Sequence, residues 1–441
     1  MTDRPDAAAH PPDAARSARV ARAALVRLVR DEGTRVFATL IRVTGDLQLA
    51  EDCVQDATVR ALQTWPRDGV PDVPRAWLTV TARRRAVDVV RRERNRTVKE
   101  AAAMDDPQHV PAPDAWGADP SDDLPADLPD ALADDDLLRL VFTCCHPALD
   151  LDAQVALALR TLCGLSTAEV ARALLLPEAT AAKRLTRAKQ KIARARIPYR
   201  VPAAHELPDR VAGVAACVYL LFNEGYAATA GDDPLRADLT EEAVRLGRLL
   251  VSLMPDEPAL LGLLALMLLQ DSRRSTRVDA GGDLVLLRDQ DRTAWDATLV
   301  REGVVLVGAG LRRTPDRPDP HVVQAAVAAC HARAPTYDAT DCAAVVSWYD
   351  VLLTVHDTLV VRLNRAVALG ERDGPAAGLA AVDALAGLDT YPLWHASRGE
   401  LLGSLGRRDE AAAALRTALT LDANAATRRH LARRLAEVTS A

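Results

Sequence analysis

Residues 141–150 read VFTCCHPALD, which sets Cys144, Cys145 and His146 side by side. Two thiols and an imidazole are soft metal ligands and candidates for redox chemistry. Packing is the competing reading. Leu137, Val141 and Cys144 fall at helical spacing on one face, with Leu138 and Cys145 beside it. Pro147 discourages continuation, and Asp150 is placed to cap a helix opening near Leu151. The spacing favours a packed corner in which the free thiols behave as small hydrophobes.

Other reactive side chains lie in the second half of the chain: Asn223-Glu224-Gly225-Tyr226, Cys330-His331 with Cys342, and His356-Asp357. None follows a metal-ligand pattern such as a CxxC paired with a second half, and none forms a nucleophile–base motif. His356 and Asp357, as neighbours on a predicted helix, would point in different directions. The NEGY stretch interrupts an apolar run and reads equally as a helix end or a ligand contact. No catalytic residue, metal site or cofactor is expected.

The elements that must carry any function are helices. The chain has 441 residues, only 3% aromatic, and Ala, Leu and Val dominate its apolar content. That mix favours helices packed through small and aliphatic side chains, an all-α class. Apolar residues recur every three or four positions over 17–45, 49–64 and 75–92, with PRDGVPDVP at 66–74 as a loop. The N-terminus has no apolar stretch of the secretory kind. The greasiest run, ALLGLLALMLL at 259–269, is far below the roughly 20 residues that span a bilayer and reads as a buried helix. Seven cysteines without regular spacing argue against a disulfide framework, so a reducing cytoplasm is the expected location and no membrane is involved.

Charge is in blocks. Eight arginines lie between Arg75 and Arg96 against only Asp88 and Glu93, and eight basic residues with no acid run from Lys183 to Arg200. Between them, residues 101–136 hold eleven aspartates, six prolines and no Lys or Arg. Two basic modules facing polyanions, joined by an acidic tether, explain this arrangement; solvated helix faces are the plainer alternative for either block alone. The second block belongs to a helix-turn-helix. Ser166-Thr167-Ala168-Glu169 forms a capping box, Val170, Ala171 and Leu174 face inward, and Pro177 separates two helices. Thr180, Lys183, Arg184 and Arg187 project from the second helix at spacings of three and four, as in a helix that reads a DNA groove.

GDLQLAEDCVQDATVRALQTWP followed by PRAWLTVTARRRAVDVVRR resembles region 2 of extracytoplasmic-function sigma factors of the sigma-70 family, and LSTAEVARALLLPEATAAKRLTRAK resembles their region 4. The resemblance covers about residues 17–196. FTCCHPALD, RAKQKIARARIPYRVP and the long tail look like the subgroup with a tetratricopeptide-like C-terminal extension. The resemblance implies that Asp52, Gln55 and Asp56 dock on the β′ subunit of core RNA polymerase. It implies that Arg83, Arg84, Arg85, Arg91 and Arg92 face the −10 element, and that Thr180, Lys183, Arg184 and Arg187 face the −35 element. Arg84 departs from the family, which often has Asn there, so base choice at −10 is left open. Trp65 and Trp77 read as core residues, with base stacking as the alternative. The acidic linker would thread the channel later taken by RNA, or act as a charged spacer.

The resulting organisation is region 2 at 17–96, linker at 97–135, region 4 at 136–197 and a helical extension at 200–441. Within the extension, 362–388 and 397–421 are similar at an offset of about 35 residues, the period of a tetratricopeptide repeat, giving repeats at about 355–425. Leu402, Gly406, Ala411 and Ala418 occupy positions where helices interlock. Helices are also expected at 210–222, 240–253 and 257–270. The function implied is promoter-directed transcription initiation with core RNA polymerase (β′ and β subunits) and promoter DNA as partners. The extension would regulate that module within the molecule or offer a platform to a separate protein. A stand-alone helix-turn-helix regulator and a repeat-protein scaffold are the alternatives.

Overall fold

The computed structural model describes residues 11–103, 130–174, 176–226, 235–279, 281–421 and 425–440. Among these residues there is no strand, only an isolated bridge between Val278 and Leu284, so the all-α expectation holds. The chain divides into two compact units between Val214 and Ala215.

The first unit opens with α1 (Pro11–Thr44), α2 (Leu47–Asp68) and α3 (Pro74–Ala103), which pack on one another. Leu25, Phe37, Leu40 and Ile41 of α1 meet Ala50, Ala57 and Trp65 of α2 and Leu78, Ala82 and Ala86 of α3, all buried. Small residues at four-residue spacing let the helices approach closely. Asp46 caps α2 by accepting from the Leu49 amide at 2.8 Å. The helix runs to Asp68, past the expected loop start at Pro66, which lies inside its last turn, and Gly69 closes it. The Gly69 amide donates to Trp65 O at 3.0 Å, and its φ of +86° suits glycine.

After the acidic run come α4 (Asp130–Cys144), α5 (Leu151–Leu157), a π-helical turn at Ala158–Leu162, α6 (Thr167–Ala173) and α7 (Glu178–Arg194). The expected corner is present. Leu137, Val141, Cys144 and Cys145 are buried. The Cys144 thiol sits 3.0 Å from the Thr161 hydroxyl, and Asp150 accepts from the Ala153 amide at 2.9 Å. His146 Nδ1 accepts from the Ala148 amide at 3.1 Å, which closes the turn. Burial, helped by the Arg210 charge, lowers the His146 pKa. No group of three or more His, Cys, Asp or Glu residues suited to a metal ion occurs among the described residues.

α8 (Leu207–Tyr226) runs through the boundary between the units. The second unit continues with α9 (Ala237–Leu253), α10 (Pro258–Asp271), α11 (Ala297–Arg313), α12 (Pro320–Arg333), α13 (Cys342–Val355) and α14 (Leu359–Asp373). It ends with α15 (Pro375–Asp383), α16 (Pro392–Ser404), α17 (Arg408–Leu421) and α18 (Ala425–Ser440). From α9 onward each helix packs on the next, and α10 also packs on α12. α10 is buried on every side from Leu260 to Leu269, and no helix among the described residues is long and apolar enough to cross a membrane.

Gly262 lets α10 touch α12: a Cβ there would lie 2.4 Å from the Val322 amide nitrogen and 2.7 Å from Val322 Cγ2. Gly262→Ala is therefore expected to destabilise the second unit by about 1–3 kcal/mol, despite alanine's roughly 1 kcal/mol advantage in helix propensity. A urea titration followed by circular dichroism checks this, and an unchanged or raised midpoint would contradict the packing.

Candidate nucleic-acid and polymerase interfaces

Three exposed helix faces carry the residues picked out by sequence. On α2 the buried stripe Leu47, Ala50, Cys53, Ala57, Ala61 and Trp65 turns Asp52, Gln55 and Asp56 outward, all exposed. Asp52 accepts from Gln48 Nε2 at 2.9 Å, and Gln55 Nε2 donates to Glu51 at 3.4 Å. Asp56 is paired with Arg85 Nε of α3 at 2.8 Å, which joins a residue expected at the polymerase to one expected at DNA.

On α3, Leu78, Ala82 and Ala86 face inward. Arg84, Arg85, Arg91 and Arg92 are exposed, while Arg83 is half-buried. Trp65 is buried and meets Trp77 edge to face with ring centroids 5.5 Å apart, a core role rather than a base-stacking one. The helix continues to Ala103, into the expected linker. Residues 104–129, which include most of the acidic run, lie outside the described residues.

On α7, Ala181, Leu185, Ala188 and Ile192 are buried within the first unit. The expected capping box is present: Ser166 accepts from the Glu169 amide at 3.2 Å, and Glu169 accepts from the Ser166 amide at 2.7 Å. Those hydrogen bonds hold the Glu169 carboxyl below its ordinary pKa. Opposite the buried stripe, Thr180, Lys183 and Arg187 are exposed. Arg184 is half-buried and paired with Asp152 at 3.1 Å, so it is less available to a ligand than its sequence position implies.

Sequence reasoning misses the junction between these modules. Glu51 of α2 is the centre of an ion-pair cluster with Arg160 of the π-helical turn and Lys189 of α7. Its side chain is only 14% exposed. Burial works to raise its pKa, but the hydrogen bonds and charges of Lys189 and Arg160 outweigh burial and hold it below the ordinary value. Lys189 therefore turns toward α2 and not outward with Lys183. Arg35 pairs with Asp134 at 3.0 Å, and Arg42 pairs with Asp136 at 3.0 Å. Burial raises the Asp136 pKa in spite of Arg42 and Arg139. The Tyr199 hydroxyl is 2.8 Å from the carbonyl oxygens of both Ala38 and Asp136, to either of which it donates. The last aspartates of the acidic run are thus helical residues engaged by arginines.

The reactive candidates of the second unit do not converge. His356 and Asp357 are not on a helix; they sit in the α13–α14 connection, where Asp357 accepts two hydrogen bonds from Arg362 at 2.7 and 2.6 Å. NEGY is the last turn of α8. Gly225 there allows close approach of α9, since a Cβ would lie 2.6 Å from the Thr240 amide.

A profile of sigma-70 region 2 matches residues 28–96, and a profile of sigma-70 region 4 matches residues 139–192. These ranges coincide with the α1–α3 bundle and with the α4–α7 segment that carries the helix-turn-helix. The chain belongs to the sigma-70 family. It is a sigma factor of the extracytoplasmic-function type with a C-terminal extension. A profile described as a family of unknown function matches residues 210–310 of that extension. An uncharacterised protein of Rhizobium meliloti (strain 1021) is 42% identical to the sigma factor over 403 residues, 89% of this chain and 90% of the relative. The role of the sigma factor is in promoter-directed transcription, through core RNA polymerase and promoter DNA.

Proposed function

We propose that this sigma factor docks on the β′ subunit of core polymerase through Asp52, Gln55 and Asp56, with the β subunit as a further contact. Exposed acidic and amide groups on one helix face give charge complementarity and register against a basic helical surface. Arg84, Arg85, Arg91 and Arg92, with Arg83 at their root, neutralise phosphates around the −10 element while its strands separate. Thr180, Lys183 and Arg187 meet the −35 element, with Arg184 joining if its pair with Asp152 opens. The chain performs no covalent chemistry and acts in the cytoplasm, where polymerase and chromosome are.

The observation that carries this reading is the face of α7, which buries Leu185 and Ile192 and leaves Thr180, Lys183 and Arg187 in solvent. A helix seated on its own domain through one stripe is presented to a groove by the other. The second unit, whose helices α14–α18 pack in sequence as tetratricopeptide-like hairpins do, serves as regulator or interaction platform for the sigma module. Co-purification of the full chain with core polymerase tests the docking. Asp52→Ala with Asp56→Ala should lower the amount of core retained while leaving the helical circular dichroism intact. Equal retention by the double variant would remove α2 from the polymerase interface.

A further inference from the structure

The second unit contains a cavity of about 410 Å³ between α10, α12 and the α13–α14 connection. One wall is apolar, formed by Leu266, Leu269, Val327 and Leu352. The other carries Arg273, Gln270, Gln324, His331 and Asn364, a cation and several neutral donors. A volume of this size with one apolar and one polar wall is that of a small-molecule site.

Three arginines near the cavity are held by rings and carbonyls rather than by direct ion pairs. Arg273 donates to the Tyr226 hydroxyl, with its guanidinium 5.6 Å from the centroid of that ring. The Arg277 guanidinium lies 3.5 Å from the same centroid and donates to the Tyr226 carbonyl. Arg292 lies 4.9 Å from the Trp295 ring and donates to the carbonyls of His331 and Ala334. Its Nε and Nη2 are buried without a partner, as is His331 Nδ1. Among the described residues, no carboxylate pairs with Arg273, Arg277 or Arg292. The nearby Asp271 is taken by Arg274 at 2.6 Å, which Glu241 also holds at 2.7 Å. Burial lowers the Arg277 pKa to about 10, and burial with the charges of Arg292 and Arg273 lowers the His331 pKa to about 4.

Three guanidiniums are held by aromatic rings and carbonyls, with only the Asp271 charge acting on Arg277 from nearby, and their burial costs free energy. An anion entering the cavity would return it. We propose that the cavity binds a small organic anion, its anionic head at Arg273 with amide donors from Gln270, Gln324 and Asn364, and its apolar body against Leu266, Leu269 and Val327. His331 lines the same wall. Carboxylate, sulfonate and phosphate heads share this chemistry. The apolar wall distinguishes any of them on a greasy body from the free inorganic ion.

The test uses the full chain and 8-anilinonaphthalene-1-sulfonate, a fluorescent apolar body with one negative charge. N-phenyl-1-naphthylamine, the same body without the sulfonate, is the control. The anionic probe should saturate one site per chain at least about tenfold more tightly than the neutral one. Arg273→Gln should remove that preference. Ala328→Phe, which adds bulk to the cavity lining from α12, should abolish saturable binding of both. Octanoate should displace the anionic probe, and inorganic phosphate at the same concentration should not. Equal affinity for the two probes on the unaltered chain overturns the proposal, and that comparison does not depend on any variant folding. So does undiminished preference in a folded Arg273→Gln chain, or displacement by phosphate and not by octanoate.

Discussion

Replacing Lys183 and Arg187 together by alanine is expected to lower promoter-DNA affinity by roughly tenfold or more for each charge-assisted hydrogen bond to phosphate that the substitution removes. It should also flatten the dependence of log K on log salt by about 2, near 0.9 for each phosphate no longer neutralised. Both side chains are exposed, three and seven positions beyond Thr180 on α7, and neither has a role in holding the helix. The variant should therefore retain its circular dichroism and its thermal midpoint. The decisive readout is the slope measured across a salt series, because a general loss of folded protein would reduce affinity without changing it. An unaltered slope would place this face of α7 away from DNA.

A second large effect is expected at Glu51. Glu51→Ala leaves Arg160 and Lys189 facing each other in a largely enclosed site and should cost about 2–4 kcal/mol. Urea unfolding of the full chain measures it in the transition of the first unit. The pH dependence follows from the sign of the shift. Because the folded-state pKa of Glu51 lies below the ordinary glutamate value, its contribution is complete above the unfolded-state value and disappears as pH falls through the folded one. The unaltered protein should lose stability over that acid range more steeply than Glu51→Ala, so the two curves converge at low pH. Parallel curves would mean that the cluster is not formed in solution.

Much of the sigma module is legible because its signals are local. The Ser166–Glu169 box, the Asp150 cap and the Leu137, Val141, Cys144 face are each decided within a few residues, and each is present in the structure. The outward faces of α2, α3 and α7 follow from helical periodicity in the same way. What escapes the sequence depends on distant partners. Glu51 gives no hint of Arg160 and Lys189, 109 and 138 residues away in the chain. Arg184 looks like its neighbours on α7 until α5 brings Asp152 to it. The arginines around Tyr226 and Trp295 come from separate stretches that only the helix stack gathers. Helix ends are misplaced where a single residue outweighs its surroundings, as at Pro66, or where helical pattern runs on into polar sequence, as beyond residue 96 on α3.

VFTCCHPALD is the packed corner that its spacing indicates. Its thiols are core atoms, its histidine closes a turn on its own backbone, and its aspartate starts the helix on which α7 rests. The corner helps to position α7.

The central claim is that this chain gives core polymerase its promoter specificity. Run-off transcription on genomic promoter fragments, with core polymerase alone, the chain alone and both together, tests it most directly. The account predicts discrete transcripts with fixed start sites only when both are present. A chain that binds operator DNA tightly yet neither retains core polymerase nor directs any transcript from it would contradict the account and make the protein a stand-alone helix-turn-helix regulator.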